Sequence, residues 1–107
     1  MQKFTAIGNL GREPEQRFTQ TGTAITTFSI AVTEKWFDKQ SGEKKESTEW
    51  INCVSFGKQA ETLAKYLSKG SKVYIEGKLK TSTYDKDGQT HYKTDVNVMS
   101  FEFLSPK

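Results

Sequence analysis

Hydrophobic and polar residues alternate along most of this chain, with a period of two that is typical of half-buried β-strands. Between about Ala24 and Glu34, for example, one face carries Phe28, Ile30 and Val32 while the other face is polar. Read in this way, the sequence predicts five strands, at about residues 3–10, 24–34, 48–56, 72–83 and 90–104.

One segment has the period of a helix instead. An apolar stripe at i, i+3, i+4 and i+7 predicts a helix over about residues 58–68, and it consists of Ala60, Leu63, Ala64 and Leu67. Gly70 follows at a position where helices commonly stop. Residues 35–47 are charged and polar, and we interpret them as a long exposed hairpin connection. Asp85-Lys86-Asp87-Gly88 is a strong turn signal before the last strand.

The order of these elements is three strands, one short helix and two strands. Antiparallel hairpins account for every connection except the one that the helix makes. We therefore predict an all-β fold with one short helix, an OB-fold built as a five-stranded Greek-key β-barrel. A generic α+β sandwich has the same elements and is the alternative. The length of 107 residues predicts a single domain over residues 1–107.

Composition and charge reduce the number of function classes that fit the sequence. The chain carries 16 Lys and Arg against 13 Asp and Glu, and its pI near 9.0 favours an anionic partner. Cys53 is the only cysteine, which excludes an intramolecular disulfide and a cysteine-based zinc cage. No apolar run is long enough for a signal peptide or a membrane span. We expect a cytoplasmic, nucleoid-associated protein without a membrane partner.

Groups that catalyse reactions are scarce. His91 is the only histidine and follows a turn, so we expect a solvated side chain. Gly8-Asn9-Leu10-Gly11 precedes no helix and lacks the pattern of a phosphate loop, and we interpret it as a strand end with a bulge. Cys53 is predicted to be an inert structural thiol. We predict no enzyme activity, no catalytic residue, no metal site and no cofactor.

Four aromatic residues have mainly polar neighbours in the sequence and do not belong to apolar clusters: Trp36, Trp50, Phe56 and Tyr84. Even separation places Trp50 and Phe56 on one face of a strand, provided that no bulge intervenes. The alternative for each ring is a core or interface anchor. Exposed rings suit nucleobases, because stacking stabilises single strands by about 1–3 kcal/mol per base and tolerates any sequence.

Lysine side chains accompany these rings. Candidate phosphate contacts are Lys35, Lys58, Lys69, Lys78 and Lys80. Such contacts release counterions, so that affinity falls steeply with salt. Rings and lysines together predict sequence-independent binding of single-stranded DNA.

Four stretches carry a family resemblance: Gly8–Glu15, Trp36–Glu43, residues 48–50 with 56–58, and Tyr66–Leu79. They resemble the bacterial single-stranded DNA-binding protein (SSB) family over nearly the whole chain. The resemblance implies an OB-fold and protection of single strands in replication, recombination and repair. It also places the stacking residues of the family at the same four aromatic positions named above.

The sequence departs from the family pattern at several positions. Tyr84 stands where Trp is frequent and is expected to stack over less area. Asn52 and Ser82-Thr83 replace residues that are often basic, so fewer phosphate contacts are expected. Ile51 occupies a position that is a histidine at a subunit interface in the best-known relatives.

The resemblance also implies a homo-oligomer, a tetramer with a dimer as the alternative. Family members usually continue through a flexible linker to an acidic tip that recruits replication and repair proteins. Because this sequence ends at Leu104-Ser105-Pro106-Lys107, we expect no recruitment through such a tip. An SSB-like primosomal dimer that bridges helicase-loading proteins is the alternative function, and the retained Trp36 and Trp50 argue against it.

Overall fold

A computed structural model describes residues 1–105. Pro106 and Lys107, which belong to the expected domain and to the chain end discussed above, lie outside the described residues. Six strands and one helix follow in chain order: β1 Phe4–Leu10, β2 Glu15–Phe18, β3 Ala24–Asp38, β4 Glu43–Phe56, α1 Lys58–Tyr66, β5 Lys72–Lys86 and β6 Gln89–Phe103.

Five of the strands close into a barrel. The pairing order is β1-β5-β6-β4-β3, and β3 returns to β1 through the pairs Asn9 with Ala31 and Leu10 with Ile30. Neighbours are antiparallel except β4 and β6, which pair in parallel near Cys53 and Val96. The predicted fold class, an OB-type barrel with one helix, is confirmed.

The hydrophobic core fills the barrel and the space beneath α1. On β3, for example, Phe28 and Ile30 are buried and alternate with outward-facing polar residues. Leu63 on α1 is fully buried against them, as the apolar stripe of the helix predicts. The buried Thr26 hydroxyl donates a hydrogen bond of 2.6 Å to the Ala60 carbonyl, which ties the helix to the barrel. No helix in the described part of the chain combines the length and apolarity that crossing a bilayer requires.

Strand β2 is an addition to the predicted elements. Its four residues are all exposed, so they show no burial contrast that a sequence pattern could report. The strand forms because its backbone pairs with the outer edge of β3, from Glu15 opposite Thr27 to Phe18 opposite Ala24.

The predicted connection over residues 35–47 is mostly strand. β3 continues to Asp38 and β4 begins at Glu43, with unbroken pairing between them. Both faces of this ribbon are largely exposed, so the sequence shows no alternation of buried and exposed positions there. The Gln40 amide donates to the Asp38 carboxylate at 2.9 Å, and Lys45 lies 3.1 Å from it. The Gln40 amide, followed by Lys45, lowers the pKa of Asp38.

The bulge expected near Gly8 is absent. β1 pairs regularly with β5, and the register shift lies instead between β5 and β6, at Glu76 and Gly77. Gly8 allows strands β1 and β3 to approach each other closely, because a Cβ atom there would lie 2.5 Å from the Ala31 carbonyl oxygen. The predicted helix end was also two residues late, because α1 ends at Tyr66.

Candidate nucleic-acid interface

A groove of about 540 Å³ lies on the outer side of the barrel, with walls from β2 to β6. Its position follows from strand alternation, since Thr27 and Ser29 face it while their neighbours on β3 face the core. Four cations line the groove: Arg12, Arg17, Lys80 and Lys93. Two carboxylates, from Glu15 and Asp95, also line it, so that positive charge is in excess.

The aromatic rings of β4 lie on the groove side. Pairing of β4 with β3 is unbroken from Phe56 opposite Ile25 to Glu43 opposite Asp38. No bulge therefore separates Trp50 from Phe56, and the expectation that they share one face is confirmed. Phe56 lines the groove itself.

Trp50 continues the groove toward the start of the β3–β4 hairpin. Its ring lies over Gly11, and the recess between them, of about 240 Å³, is lined also by Arg12 and Ser29. Arg12 belongs to both the recess and the groove. The two depressions are therefore adjacent and share Arg12 as a lining residue.

Trp36 lies on the part of the hairpin that pairs with no third strand. It is opposite Lys45, and alternation along β3 and β4 puts it on the other face of that ladder from Trp50. Phe37, which is more exposed than Trp36, is on the face of Trp50. The sequence analysis named Trp36 but not the adjacent Phe37, although the structure exposes both rings, on opposite faces of the hairpin.

Tyr84 is near the end of β5, on the same face as Lys80 and Ser82 of the groove. It is opposite His91 on β6, and the two rings are stacked with centroids 5.2 Å apart and planes at 18°. His91 is therefore half-buried against Tyr84, unlike the solvated side chain expected from the sequence.

The five lysines proposed to bind phosphate are all exposed, but the structure separates them. Lys80 lines the groove, and Lys35 lines a recess on the hairpin together with Trp36 and Phe37. The other three, Lys58, Lys69 and Lys78, line neither.

Three cations of the groove were missed by the sequence analysis. Arg12 precedes β2 and Arg17 lies on it, and the sequence shows no alternation that would predict this strand. Lys93 could have been found from the sequence, because it is on the opposite face of the last predicted strand from the apolar Val96 and Val98, which are buried.

Asn52 and Ser82, at positions often basic in the family, do line the groove. The Ser29 hydroxyl donates to the Asn52 side-chain oxygen at 2.8 Å, which leaves the Asn52 amide group as a donor for the groove.

Cys53 lies beneath the groove and is only 2% exposed. Burial, and secondarily the negative charge of Asp95, raises the pKa of its thiol to about 12. The thiol therefore stays protonated well into the alkaline range.

A closed barrel with rings and cations on its outer groove defines an OB-fold protein with a surface suited to nucleic acid. The model of the single-strand binding protein family matches residues 1–104. The chain belongs to this family of single-strand binding proteins, which is a non-catalytic DNA-binding family.

Solved structures that are similar to it include two single-stranded DNA-binding proteins. One is the Plasmodium falciparum SSB in complex with single-stranded DNA, at 30% identity and a TM-score of 0.90, covering 98% of this chain and 96% of that chain. The other is a deletion mutant of the single-stranded DNA binding protein from Thermus aquaticus, at 28% identity and a TM-score of 0.84. The match covers 98% of this chain and 51% of that chain, so this chain spans about half the length of the Thermus aquaticus protein. Family and neighbours together support binding of single-stranded DNA.

The raised pKa of Cys53 predicts that its thiol is unreactive in the folded protein. At about pH 8, a free cysteine with a pKa near 8.5 reacts readily as thiolate, whereas a thiol with a pKa of about 12 does not. We expect very slow colour development with Ellman's reagent in native buffer and a fast reaction of one thiol per chain in guanidinium chloride. Equal rates in the two solvents would show that Cys53 is accessible and ionised.

Proposed function

We propose that this protein binds single-stranded DNA without regard to sequence and protects exposed strands during replication, recombination and repair. One observation carries the proposal. The four aromatic rings named from the sequence, Trp36, Trp50, Phe56 and Tyr84, are 48%, 58%, 52% and 50% exposed. Phe56 lines the groove together with four cations, and Trp36 lines the hairpin recess together with three lysines. Aromatic rings that are this exposed on a small barrel offer apolar surface that a ligand with flat apolar faces would bury.

Nucleobases are such a ligand. Stacking on aromatic side chains, for which single-strand binding proteins are themselves the standard example, contributes about 1–3 kcal/mol per base. In the proposed complex, Trp50 and Phe56 stack bases along the barrel, Trp36 does so on the β3–β4 hairpin, and Tyr84 on the β5–β6 hairpin. Every base has a π-face, so this contact is independent of sequence.

The phosphates are proposed to follow the cations. Arg12, Arg17, Lys80 and Lys93 line the groove next to Phe56, and Lys35 lies beside Trp36. Lys58, Lys69 and Lys78 stay candidates for phosphates outside the groove. Each phosphate held in this way releases counterions and contributes about −0.7 to the slope of log affinity against log salt.

Titration with oligo-dT tests the proposed function. We expect strong quenching of tryptophan fluorescence, because bases would cover the two exposed indoles, and recovery of the emission as salt is added. Duplex DNA of the same length is the matched control and is expected to quench much less. Unchanged emission at low salt with excess single strand would contradict the proposal.

Truncation of Trp50 tests the stacking surface. We expect Trp50→Ala to weaken binding of labelled oligo-dT by about 1–3 kcal/mol, measured by anisotropy, without loss of the folded state. Tyr92→Ala is the matched control, because Tyr92 is 73% exposed yet alternates onto the face of β5–β6 opposite Tyr84. A loss from Tyr92→Ala as large as that from Trp50→Ala would place the DNA elsewhere. An unfolded Trp50→Ala would assign that ring to the core.

We also infer that the protein forms a homo-oligomer, a tetramer as the family resemblance implies. From Phe4 to Gly8, strand β1 pairs with β5 along one edge, and its other edge has no partner strand within residues 1–105. Ile7 is exposed on the same strand. Open strand edges readily pair with another chain, so a second copy is the occupant we propose.

Light scattering checks the assembly. We expect a mass of four times the 12.1 kDa chain, independent of concentration in the micromolar range. A dimer would correct the stoichiometry and favour the primosomal alternative, and a monomer would contradict the inferred assembly. The cytoplasmic, nucleoid-associated location stays a prediction.

A further inference from the structure

Gly11 lies directly beneath the indole ring of Trp50. A Cβ atom placed on Gly11 would be 2.5 Å from Cζ3 and 2.6 Å from Cη2 of that ring. Real Cβ atoms essentially never approach other heavy atoms within 3.0 Å. The ring therefore occupies the volume that any side chain at position 11 would need.

The backbone at Gly11 does not itself demand glycine. Gly11 is not among the glycines with positive φ, which include Gly42 and Gly57. Its amide donates to the Ser29 carbonyl oxygen at 3.4 Å, a bond that alanine would retain. An alanine at this position is therefore opposed by the Trp50 ring and not by backbone strain.

Contact with Gly11 restricts the ring while leaving it accessible. The end of the indole rests on the chain just after β1, and Arg12 and Ser29 complete the recess at its side. More than half of the side chain is still exposed. A ring that is already held in one orientation loses less conformational entropy when a base stacks on it.

We propose that Gly11 is a positioning residue for single-stranded DNA binding: the absence of a side chain there lets the Trp50 indole lie against the chain and present its open side to a base. This inference rests on the proposed function and adds a residue that acts through Trp50 without touching DNA.

The Gly11→Ala variant tests it. The added methyl group displaces the ring, and we expect affinity for oligo-dT to fall by about six-fold to thirty-fold, within the range that loss of one stacked base spans. Placing Gly11→Ala in a Trp36→Phe background leaves Trp50 as the sole indole. Its near-ultraviolet circular dichroism and its quenching by acrylamide are then expected to change in the absence of DNA. Unchanged indole signals together with unchanged affinity would overturn the proposal.

A double-mutant cycle separates positioning from a general structural effect. In a Trp50→Ala background the ring is gone, so Gly11→Ala is expected to cause no further loss of affinity. In a Trp50→Phe background the effect should be smaller than in the native chain, because phenylalanine lacks the fused ring that reaches Gly11. An equal loss in all three backgrounds would overturn the proposal.

Two further outcomes are informative. If Gly11→Ala alone does not fold, the proposal expects Gly11→Ala with Trp50→Ala to fold, and failure of that pair would overturn it. If the native protein does not bind oligo-dT, the proposed function fails, whereas the indole signals of Gly11→Ala still decide whether Gly11 holds the ring.

Discussion

Closure of the barrel between β1 and β3 is the constraint on which the rest of the structure depends. It requires the two backbones to approach so closely at Gly8 that a Cβ would lie 2.5 Å from the Ala31 carbonyl oxygen. Once the barrel is closed, alternation sends one face of every strand into the core and the other outward. The core residues thereby determine which polar and aromatic residues form the outer groove.

The set of residues that lines the groove therefore follows from which of their neighbours are buried in the core. On β4, Cys53 and Ser55 are buried, so Asn52 and Phe56 face the groove. The chain leaves β1 immediately after the closing pairs, and its next residue, Gly11, lies under Trp50. The same stretch of chain closes the barrel and supports the most exposed of the four candidate stacking rings.

This surface combines several exposed aromatic rings with only a small excess of positive charge. The chain carries a formal charge of only +3, and two carboxylates stand among the four cations of the groove. Aromatic side chains extend from the barrel onto both long hairpins, to Trp36 and Phe37 on one and to Tyr84 with His91 on the other. A single strand bound by these rings would keep part of its affinity at salt concentrations that screen its phosphates, since stacking is not a charge effect.

The sequence by itself determined the elements whose residues are half buried. Alternation predicted the five barrel strands, the helical stripe predicted α1, and polar company identified four rings that are exposed in the structure. Elements exposed on both faces have no such pattern, so β2 was missed, and residues 35–47 were predicted as a hairpin connection without the strands that extend through it. The groove cations Arg12 and Arg17, the stack of His91 on Tyr84 and the contact of Gly11 with Trp50 were decided only by tertiary structure. The physical reason is that each depends on pairing or packing between segments far apart in the chain, whereas periodicity reports only the local environment of each strand or helix.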